Sequence, residues 1–211
     1  MLPTKEEWIK ALEERHGEEL QKAFSAATVA VCGLGGLGSN IAICLARVGI
    51  GKLILIDFDR VDITNLHRQQ YKAEQIGMYK TEALAENLKE IAPYISLEIY
   101  TERITEDNAV KLLQGADIIC EAFDDAKCKA MFTNTVLSEL PDKYFIAASG
   151  MAGMGTANSI KTRKITGRFY LSGDETSDVS DGIGLVASRV ALCAAHTAHT
   201  ALRILAKQFE V

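Results

Sequence analysis

A run of glycines between two apolar segments constrains this chain more than any other feature of its sequence. The run Gly33-Leu-Gly-Gly-Leu-Gly38 follows the β-branched and apolar residues 28–32 and precedes the apolar residues 39–48. This pattern predicts a buried strand, a tight turn and a helix. Glycines at such a turn let the backbone approach a phosphate closely, and the start of the helix offers N–H groups and the positive end of its dipole.

An acidic residue stands where a nucleotide-binding turn of this type needs one. Residues 52–56 (Lys-Leu-Ile-Leu-Ile) predict a second strand, and Asp57 follows it, nineteen residues after Gly38. A carboxylate there can accept hydrogen bonds from ribose hydroxyls. The strand, turn, helix and acid together predict nucleotide binding. The alternative is a tight packing turn without a ligand, which leaves the four glycines unexplained.

The remaining patterns predict an α/β fold: a Rossmann-like, mostly parallel sheet with helices on both faces. Further helices are predicted at 80–92, 107–113, 126–137 and 184–207, and further strands at 96–100, 116–120 and 144–149. Residues 156–171 predict a strand pair, an antiparallel extension in the C-terminal half. We expect a single domain over residues 1–211, with a helical N-terminal segment at residues 5–26.

Polar and charged residues accumulate directly after the expected ribose acid. The Gly-x-x-x-x-Gly-Lys-Ser/Thr pattern of a P-loop is absent, so the turn suits either a dinucleotide or ATP on a Rossmann-like sheet. Arg68 can pair with phosphate oxygens in a two-pronged geometry, and Lys80 adds a point charge. Asp124 and Asp125 follow the predicted strand 116–120, at the sheet edge where ligands gather and where a carboxylate suits Mg²⁺. Asp125 alternatively caps the next helix.

These motifs in combination resemble the adenylation domain of the family of ThiF, MoeB and the ubiquitin-activating enzymes, and are most similar to the short ThiF branch. The resemblance rests on Gly-x-Gly-Gly-x-Gly-Ser, Asp-x-Asp, Asn-Leu-x-Arg-Gln, Gly-x-x-Lys and an Asp after a strand, and spans roughly residues 15–200. It implies ATP contacts by Gly33, Gly35, Gly36, Gly38, Asp57, Asp59, Asn65, Arg68, Gln69 and Lys80.

The same resemblance implies catalytic roles for four residues: Arg68, Lys80, Asp124 and Arg15. Asp124 would hold Mg²⁺, and Arg15 would reach the ATP of a neighbouring subunit in a homodimer; alternatively Arg15 is an exposed helix arginine. Asp59 either touches ATP or orients the loop of Asp57.

The resemblance further implies an enzyme, an ATP- and Mg²⁺-dependent adenylyltransferase. It would activate the C-terminal Gly-Gly carboxylate of a ubiquitin-like sulfur-carrier protein and release pyrophosphate. ThiS, in thiamine thiazole biosynthesis, is the implied carrier, and MoaD, in molybdopterin biosynthesis, is the alternative. An NAD-dependent oxidoreductase would leave Asn65, Arg68 and Lys80 without a purpose. A non-catalytic scaffold that binds a carrier is a further alternative, against which the presence of Arg68, Lys80 and Asp124 argues.

Composition and missing motifs exclude several function classes. The net charge of −5 predicts no nucleic-acid face and no polybasic membrane patch. Without a signal peptide or a membrane-spanning run, we expect a soluble cytoplasmic protein. The five cysteines form no Cys-x-x-Cys, so we expect free thiols and no zinc. No cysteine occurs in residues 163–183, a loop that carries a catalytic cysteine in some relatives, so we expect no covalent thioester.

Three segments of the C-terminal half leave alternatives open. Residues 150–155 (Gly-Met-Ala-Gly-Met-Gly) either line a channel for a thin carrier tail or form a tight loop. The acidic segment 172–182 either orders over that tail or stays a solvated loop. His196 and His199 are expected to be packed or surface residues of a helix, since no third ligand accompanies them.

Overall fold

The computed structural model describes residues 2–211 and contains one sheet of seven strands. The strands are β1 (Thr28–Cys32), β2 (Lys52–Ile56), β3 (Ser96–Tyr100), β4 (Ile118–Glu121), β5 (Tyr144–Ala148), β6 (Lys161–Lys164) and β7 (Phe169–Gly173). Their spatial order is β3-β2-β1-β4-β5-β7-β6. Neighbouring strands are parallel except β6 and β7, which are antiparallel. The predicted α/β fold with an antiparallel extension is therefore confirmed.

The helices are α1 (Lys5–His16), α2 (Glu18–Ala26), α3 (Gly36–Arg47), α4 (Lys80–Ile91), α5 (Glu106–Leu113), α6 (Ala126–Glu139) and α7 (Ala187–Leu205). Thr4 and Glu7 form a capping box that begins α1. Gly17, with a φ of +86°, separates α1 from α2. The segment predicted to be helical at 5–26 thus forms two helices. Within residues 2–211, no helix has the length and apolar character needed to cross a bilayer.

Hydrophobic side chains pack in two layers, one on each face of the sheet. Along β1, Val29 and Val31 belong to the layer that includes α3, α4 and α7, whereas Ala30 and Cys32 belong to the layer of α5 and α6. This alternation is the two-residue period of a strand. Because helices cover both faces, the central strands β1, β2, β4 and β5 are nearly continuous apolar runs.

The strand order reverses at β1, and this reversal creates the ligand crevice. β1 pairs with β2 on one side and with β4 on the other, all three in parallel. The turns that follow these strands therefore lie at the same edge of the sheet. In open α/β sheets the crevice at this edge is where ligands bind.

Tertiary pairing moves the ends of two predicted strands. Glu121 pairs with Cys32, so β4 runs to residue 121 and does not begin until 118, unlike the predicted 116–120. Gly173 pairs with β6, so the first two residues of the predicted loop 172–182 belong to β7. Pairing with a neighbouring strand depends on residues far along the chain, which a local pattern does not reveal.

Three helix starts also differ from the prediction; that of α5 differs by one residue, Glu106 in place of 107. α3 begins at Gly36, within the glycine run, and not at residue 39. α7 begins at Ala187 and not at residue 184, because Leu185 forms an antiparallel bridge with Ala152 and keeps the chain extended there.

Candidate functional site

Two of the four glycines are required by close backbone packing within the turn. Gly33 has a φ of +89°, and a Cβ on it would lie 2.8 Å from the Ala122 carbonyl oxygen. A Cβ on Gly38 would overlap the carbonyl oxygen of Gly33. A side chain at Gly33 would push the turn away from the end of β4, and one at Gly38 would push α3 away from the turn. The packing interpretation of the glycine run therefore holds for Gly33 and Gly38.

The other two glycines leave the start of α3 open towards the crevice. Gly35 is the N-cap of α3 and provides no side-chain hydrogen bond to the helix. A Cβ on Gly36 would lie 3.1 Å from Arg68 Cγ, and one on Gly35 would lie 3.8 Å from Gln69 Nε2. The N–H groups at the start of a helix attract anions. This helix start therefore lies beside a cation and can receive a phosphate.

Asp57 is a buried carboxylate that shapes the turn. It is 8% exposed. Its Oδ2 accepts the Leu34 N–H at 2.6 Å, and its Oδ1 accepts the Asp59 N–H at 2.7 Å. Burial raises the pKa of Asp57, and the charge of Lys80 opposes that shift. Asp57 thus ties the turn after β1 to the turn after β2, at the position expected for a ribose acid.

Lys80 and Asp59 form an ion pair on the same edge. Lys80 Nζ lies 2.7 Å from Asp59 Oδ2, and the Lys80 backbone N–H donates to the Asp59 carbonyl at 2.9 Å. Asp59 therefore holds the Lys80 ammonium at this edge, a contact that the sequence analysis did not predict.

Arg68 is half-buried, and one nitrogen of its guanidinium group has no hydrogen-bond partner within the described residues. Its Nη2 donates to Asn65 Oδ1 at 2.8 Å. Its Nε and the Oε1 of Gln69 are buried and have no hydrogen-bond partner within the described residues. Burial lowers the pKa of Arg68, and nearby Asp124 opposes that shift. Buried polar groups without partners are uncommon in native proteins, so this group of side chains has capacity for a ligand.

A cavity of about 370 Å³ opens beside these side chains. It is lined by residues 66–70 and by Asn40, Ala187, Ser188 and Ala191. Neither Asp57 nor Lys80 lines it. The cavity therefore lies between Arg68 and Gln69 on one side and α7 on the other. It is separate from the crevice above the glycine turn.

A buried ion pair that the sequence analysis did not identify holds the loop of Asp124. Glu121 is fully buried, and Lys129 Nζ donates to its two carboxylate oxygens at 2.8 and 2.9 Å. Glu121 also accepts the Phe123 N–H at 2.6 Å. Burial raises the pKa of Glu121, and Lys129 opposes that shift. A glutamate inside an apolar run was the available signal.

Asp124 itself is exposed, at the end of this loop. Asp125 is the N-cap of α6 and accepts the Cys128 N–H at 2.8 Å, so the capping alternative is correct for Asp125. In the part of the chain that the structure describes, no cluster of three or more His, Cys, Asp or Glu could hold a metal. One carboxylate suits Mg²⁺ when phosphates and water supply the other oxygens.

Arg15 does not join the other residues in its own chain. It is exposed in the last turn of α1. A Cβ on Gly49, at the C-terminal end of α3, would lie 2.7 Å from Leu12 Cδ1. α1 therefore packs against the end of α3 that is opposite to the crevice, away from the other predicted site residues.

The thiols are poorly placed for nucleophilic chemistry. Cys32, Cys120 and Cys193 are buried, and burial raises the pKa of Cys120 and of Cys193 to about 12. Cys128 is half-buried in α6, and a hydrogen bond with Asp125 raises its pKa. Since the thiolate is the nucleophile, these shifts disfavour covalent catalysis.

His196 and His199 lie on α7, as expected for packed or surface residues. His196 is half-buried, with Nδ1 at 3.2 Å from Thr162 Oγ1, and His199 is exposed.

A model of the ThiF family matches residues 10–211 of this chain. Adenylyltransferase and sulfurtransferase UBA4 of Lodderomyces elongisporus is 28% identical over 192 residues, which cover 88% of this chain and 42% of that protein. The sulfur carrier protein adenylyltransferase of Thermus thermophilus is 34% identical over 110 residues, or 52% of this chain and 41% of that protein. The tRNA threonylcarbamoyladenosine dehydratase of Escherichia coli is 35% identical over 117 residues, or 54% and 44%. The matches thus span less than half the length of these relatives.

Solved structures support the fold. The E. coli tRNA N6-threonylcarbamoyladenosine dehydratase in complex with ATP aligns with a TM-score of 0.86 at 21% identity, over 99% of this chain and 98% of that one. E. coli MccB with ATP aligns with a TM-score of 0.69 at 22% identity, over 90% and 58%. The crevice at the reversal point of the strand order is therefore part of a shared architecture.

Proposed function

Because the chain belongs to the ThiF family, we propose that it adenylylates a carboxylate with ATP and Mg²⁺. The observation that carries the proposal is that Arg68, Lys80 and Asp124 gather with the open start of α3 at one sheet edge. Two cations and a metal carboxylate are the equipment for chemistry at phosphate. A hydride transfer needs none of the three.

The reaction is an in-line displacement at the α-phosphorus of ATP. A carboxylate oxygen of the acceptor forms the new P–O bond, and the bond to the bridging oxygen of pyrophosphate breaks. A carboxylate is already ionised at neutral pH, so the protein supplies no base. Its contribution is to position the reactants and neutralise charge on the transferring group.

The residues of this chain divide that work by their position. Asp57, Gly35 and Gly36 bind the nucleoside and the phosphate next to it, on a turn that Gly33 and Gly38 allow to pack. Asn65 holds the Arg68 guanidinium, which together with Lys80 and Gln69 contacts the phosphate chain. Asp124 would hold Mg²⁺, which would supply charge neutralisation on the phosphate chain.

The proposed acceptor is the C-terminal Gly-Gly carboxylate of the sulfur carrier ThiS, with MoaD as the alternative. A relative named sulfur carrier protein adenylyltransferase supports this class of acceptor. The unreactive thiols favour release of an acyl-adenylate over transfer to a cysteine of this chain.

A second candidate acceptor is a threonylcarbamoyladenosine on tRNA, because 117 residues match the E. coli dehydratase of that substrate at 35% identity. Its threonyl group carries a carboxylate, so the same displacement would activate it. The net charge of −5 gives this acceptor weaker support than a protein tail has.

The test is an ATP–pyrophosphate exchange assay with Mg²⁺ and one of four additions: ThiS, MoaD, tRNA carrying threonylcarbamoyladenosine, or buffer. We expect exchange with ThiS, and a loss of about 10²-fold or more in Arg68→Ala and Lys80→Ala. The matched controls Arg47→Ala and Lys111→Ala alter exposed residues of α3 and α5 and should exchange as the wild type does.

Each addition separates one alternative. Exchange only with MoaD, or only with the tRNA, would support adenylyl transfer and identify a different acceptor. No exchange with any addition, together with tight binding of NAD, would refute the adenylyltransferase and support an oxidoreductase. Binding of ThiS without exchange would support a non-catalytic scaffold.

A further inference from the structure

Arg189 is a buried arginine in the first turn of α7 that binds a loop of the sheet edge. Its side chain is 6% exposed. Nε donates to the Ala152 carbonyl at 3.0 Å, and Nη1 donates to the carbonyls of Gly155 at 2.9 Å and Thr156 at 3.0 Å. The rigid fork of a guanidinium can hold several acceptors in one geometry. Arg189 therefore fixes the backbone of residues 152–156.

Asp174 extends this arrangement to a second loop. It forms an ion pair with Arg189 Nη2, and its own side chain is 7% exposed. Asp174 Oδ1 accepts the N–H groups of Thr176 at 3.0 Å and Ser177 at 2.9 Å. The Ser177 hydroxyl donates to Asp174 and accepts the Ala152 N–H, both at 3.0 Å. We call this network, made of Arg189, Asp174 and Ser177, the clamp.

The clamp explains two glycines of the segment 150–155. Gly150 has a φ of +78°, and a Cβ there would overlap Asp174 Oδ1. A Cβ on Gly155 would lie 3.1 Å from Arg189 Nη2. The backbone at these glycines lies directly against the two charged side chains. At Gly150 and Gly155, the segment 150–155 is therefore a tight loop shaped by the clamp.

The location of the clamp assigns it to one half of the sheet edge. Its loops follow the carboxyl ends of β5 and β7, whereas the nucleotide residues follow β1, β2 and β4. The clamp and the crevice touch through α7, where a Cβ on Gly36 would lie 3.1 Å from Val190 Cγ1. An in-line displacement needs the acceptor opposite the leaving pyrophosphate. With ATP over β1, β2 and β4, the β5–β7 half remains for the acceptor.

We propose that Arg189 and Asp174 are positioning residues, which hold the loop 150–156 in the conformation that receives an extended peptide tail ending in a free carboxylate. This inference rests on the proposed adenylyl transfer. The clamp makes no contact with Asp57 or Lys80 among its hydrogen bonds. Loosening it should therefore weaken use of the acceptor and leave the use of ATP unchanged.

The experiment compares Arg189→Lys, Asp174→Asn and Ser177→Ala with the controls Arg47→Lys and Ser180→Ala. Arg189→Lys keeps the charge but loses the fork, and Ser177→Ala keeps both charges, so at least these two should fold. Ser180→Ala alters an exposed serine of the same loop. Steady-state ATP–pyrophosphate exchange gives the KM for ThiS and, separately, the KM for ATP. Hydrogen exchange monitored by mass spectrometry reports the amides of 150–156 and 174–177 without any acceptor.

We expect the KM for ThiS to rise about 5- to 20-fold in the clamp variants, with the KM for ATP changed less than about twofold. The two loops should exchange their amides faster, and the controls should match the wild type. Faster amide exchange with an unchanged KM for ThiS would overturn the positioning role, as would equal rises of both KM values. If the wild type shows no ATP–pyrophosphate exchange with any of the acceptors, the proposed function itself is wrong, and the acceptor role of the clamp is wrong with it.

Discussion

Lys80 and Asp59 form an ion pair of 2.7 Å in which the lysine side chain is 7% exposed and the aspartate side chain is 49% exposed. The more exposed partner therefore holds the charge of the buried one at the edge of the crevice. An ammonium in that position needs a partner at all times, since an unpaired buried charge is costly. We infer that Lys80 passes from Asp59 to a phosphate when ATP binds.

Substitution of Asp59 separates orientation from direct contact with ATP. Asp59→Asn should reduce exchange about 3- to 10-fold and lower the free energy of unfolding by roughly 1 kcal/mol, because a charge-assisted hydrogen bond to Lys80 is weakened. Lys80→Ala should reduce exchange far more. The measurements are exchange kinetics and urea unfolding, with the exposed Glu74→Gln as control. An Asp59→Asn variant as inactive as Lys80→Ala would mean that Asp59 itself binds ATP or its metal.

The buried pair of Glu121 and Lys129 should behave as a coupled unit. Lys129→Met leaves the Glu121 carboxylate buried without its cation and should lower the free energy of unfolding by about 3 kcal/mol. The double variant Glu121→Gln with Lys129→Met should lose less than the sum of the two single variants, because it leaves no unpaired charge. Urea unfolding of all four proteins measures the coupling. Strict additivity would show that Glu121 and Lys129 do not stabilise each other.

Asp174 makes a pH-dependent contribution to stability. Burial alone would raise the pKa of Asp174. The N–H groups of Ser177 and Thr176, the Ser177 hydroxyl and Arg189 together lower it from 3.8 to about 2. A lowered pKa stabilises the folded state above pH 3.8, and this contribution is lost as the pH falls towards 2. Over that range the free energy of unfolding of the wild type should fall by about 1–2 kcal/mol more than that of Asp174→Asn. Urea unfolding across this range tests it; parallel curves for the two proteins would contradict it.

Arg15 gives a prediction about assembly. If the chain is a homodimer that supplies Arg15 to the partner's ATP, Arg15→Ala and Lys80→Ala should each be inactive alone. Mixed dimers of the two contain one site with both defects and one intact site. Mixing them should therefore restore roughly a quarter of the wild-type exchange rate. Lys10→Ala, an exposed change on the same helix, should be active alone. An Arg15→Ala variant that is active alone would assign Arg15 to the surface of α1, and no recovery on mixing two inactive variants would contradict the exchange of Arg15 between subunits.

Local patterns in the sequence predicted the part of the site whose residues lie close together along the chain. The glycine run, the apolar runs on either side of it and Asp57 lie within one strand–helix–strand unit. The structure brings them together because parallel strands place their carboxyl ends at one edge. The same rule brings Asp124 near Arg68, since β4 pairs with β1.

The sequence by itself determined the parallel α/β sheet, the crevice at the turn after β1 and the identity of the charged residues around it. Periodicity and glycine placement are local properties, and they decide which element forms and which edge of the sheet it faces. Only the tertiary structure decided that Lys80 pairs with Asp59, that Lys129 pairs with Glu121 and that Arg189 holds two loops through Asp174. The physical reason is that each of these charges is buried or half-buried by elements distant in the chain. The partner of each charge is the oppositely charged group that the packed sheet and α7 place next to it. Spacing in the sequence does not specify which group that is.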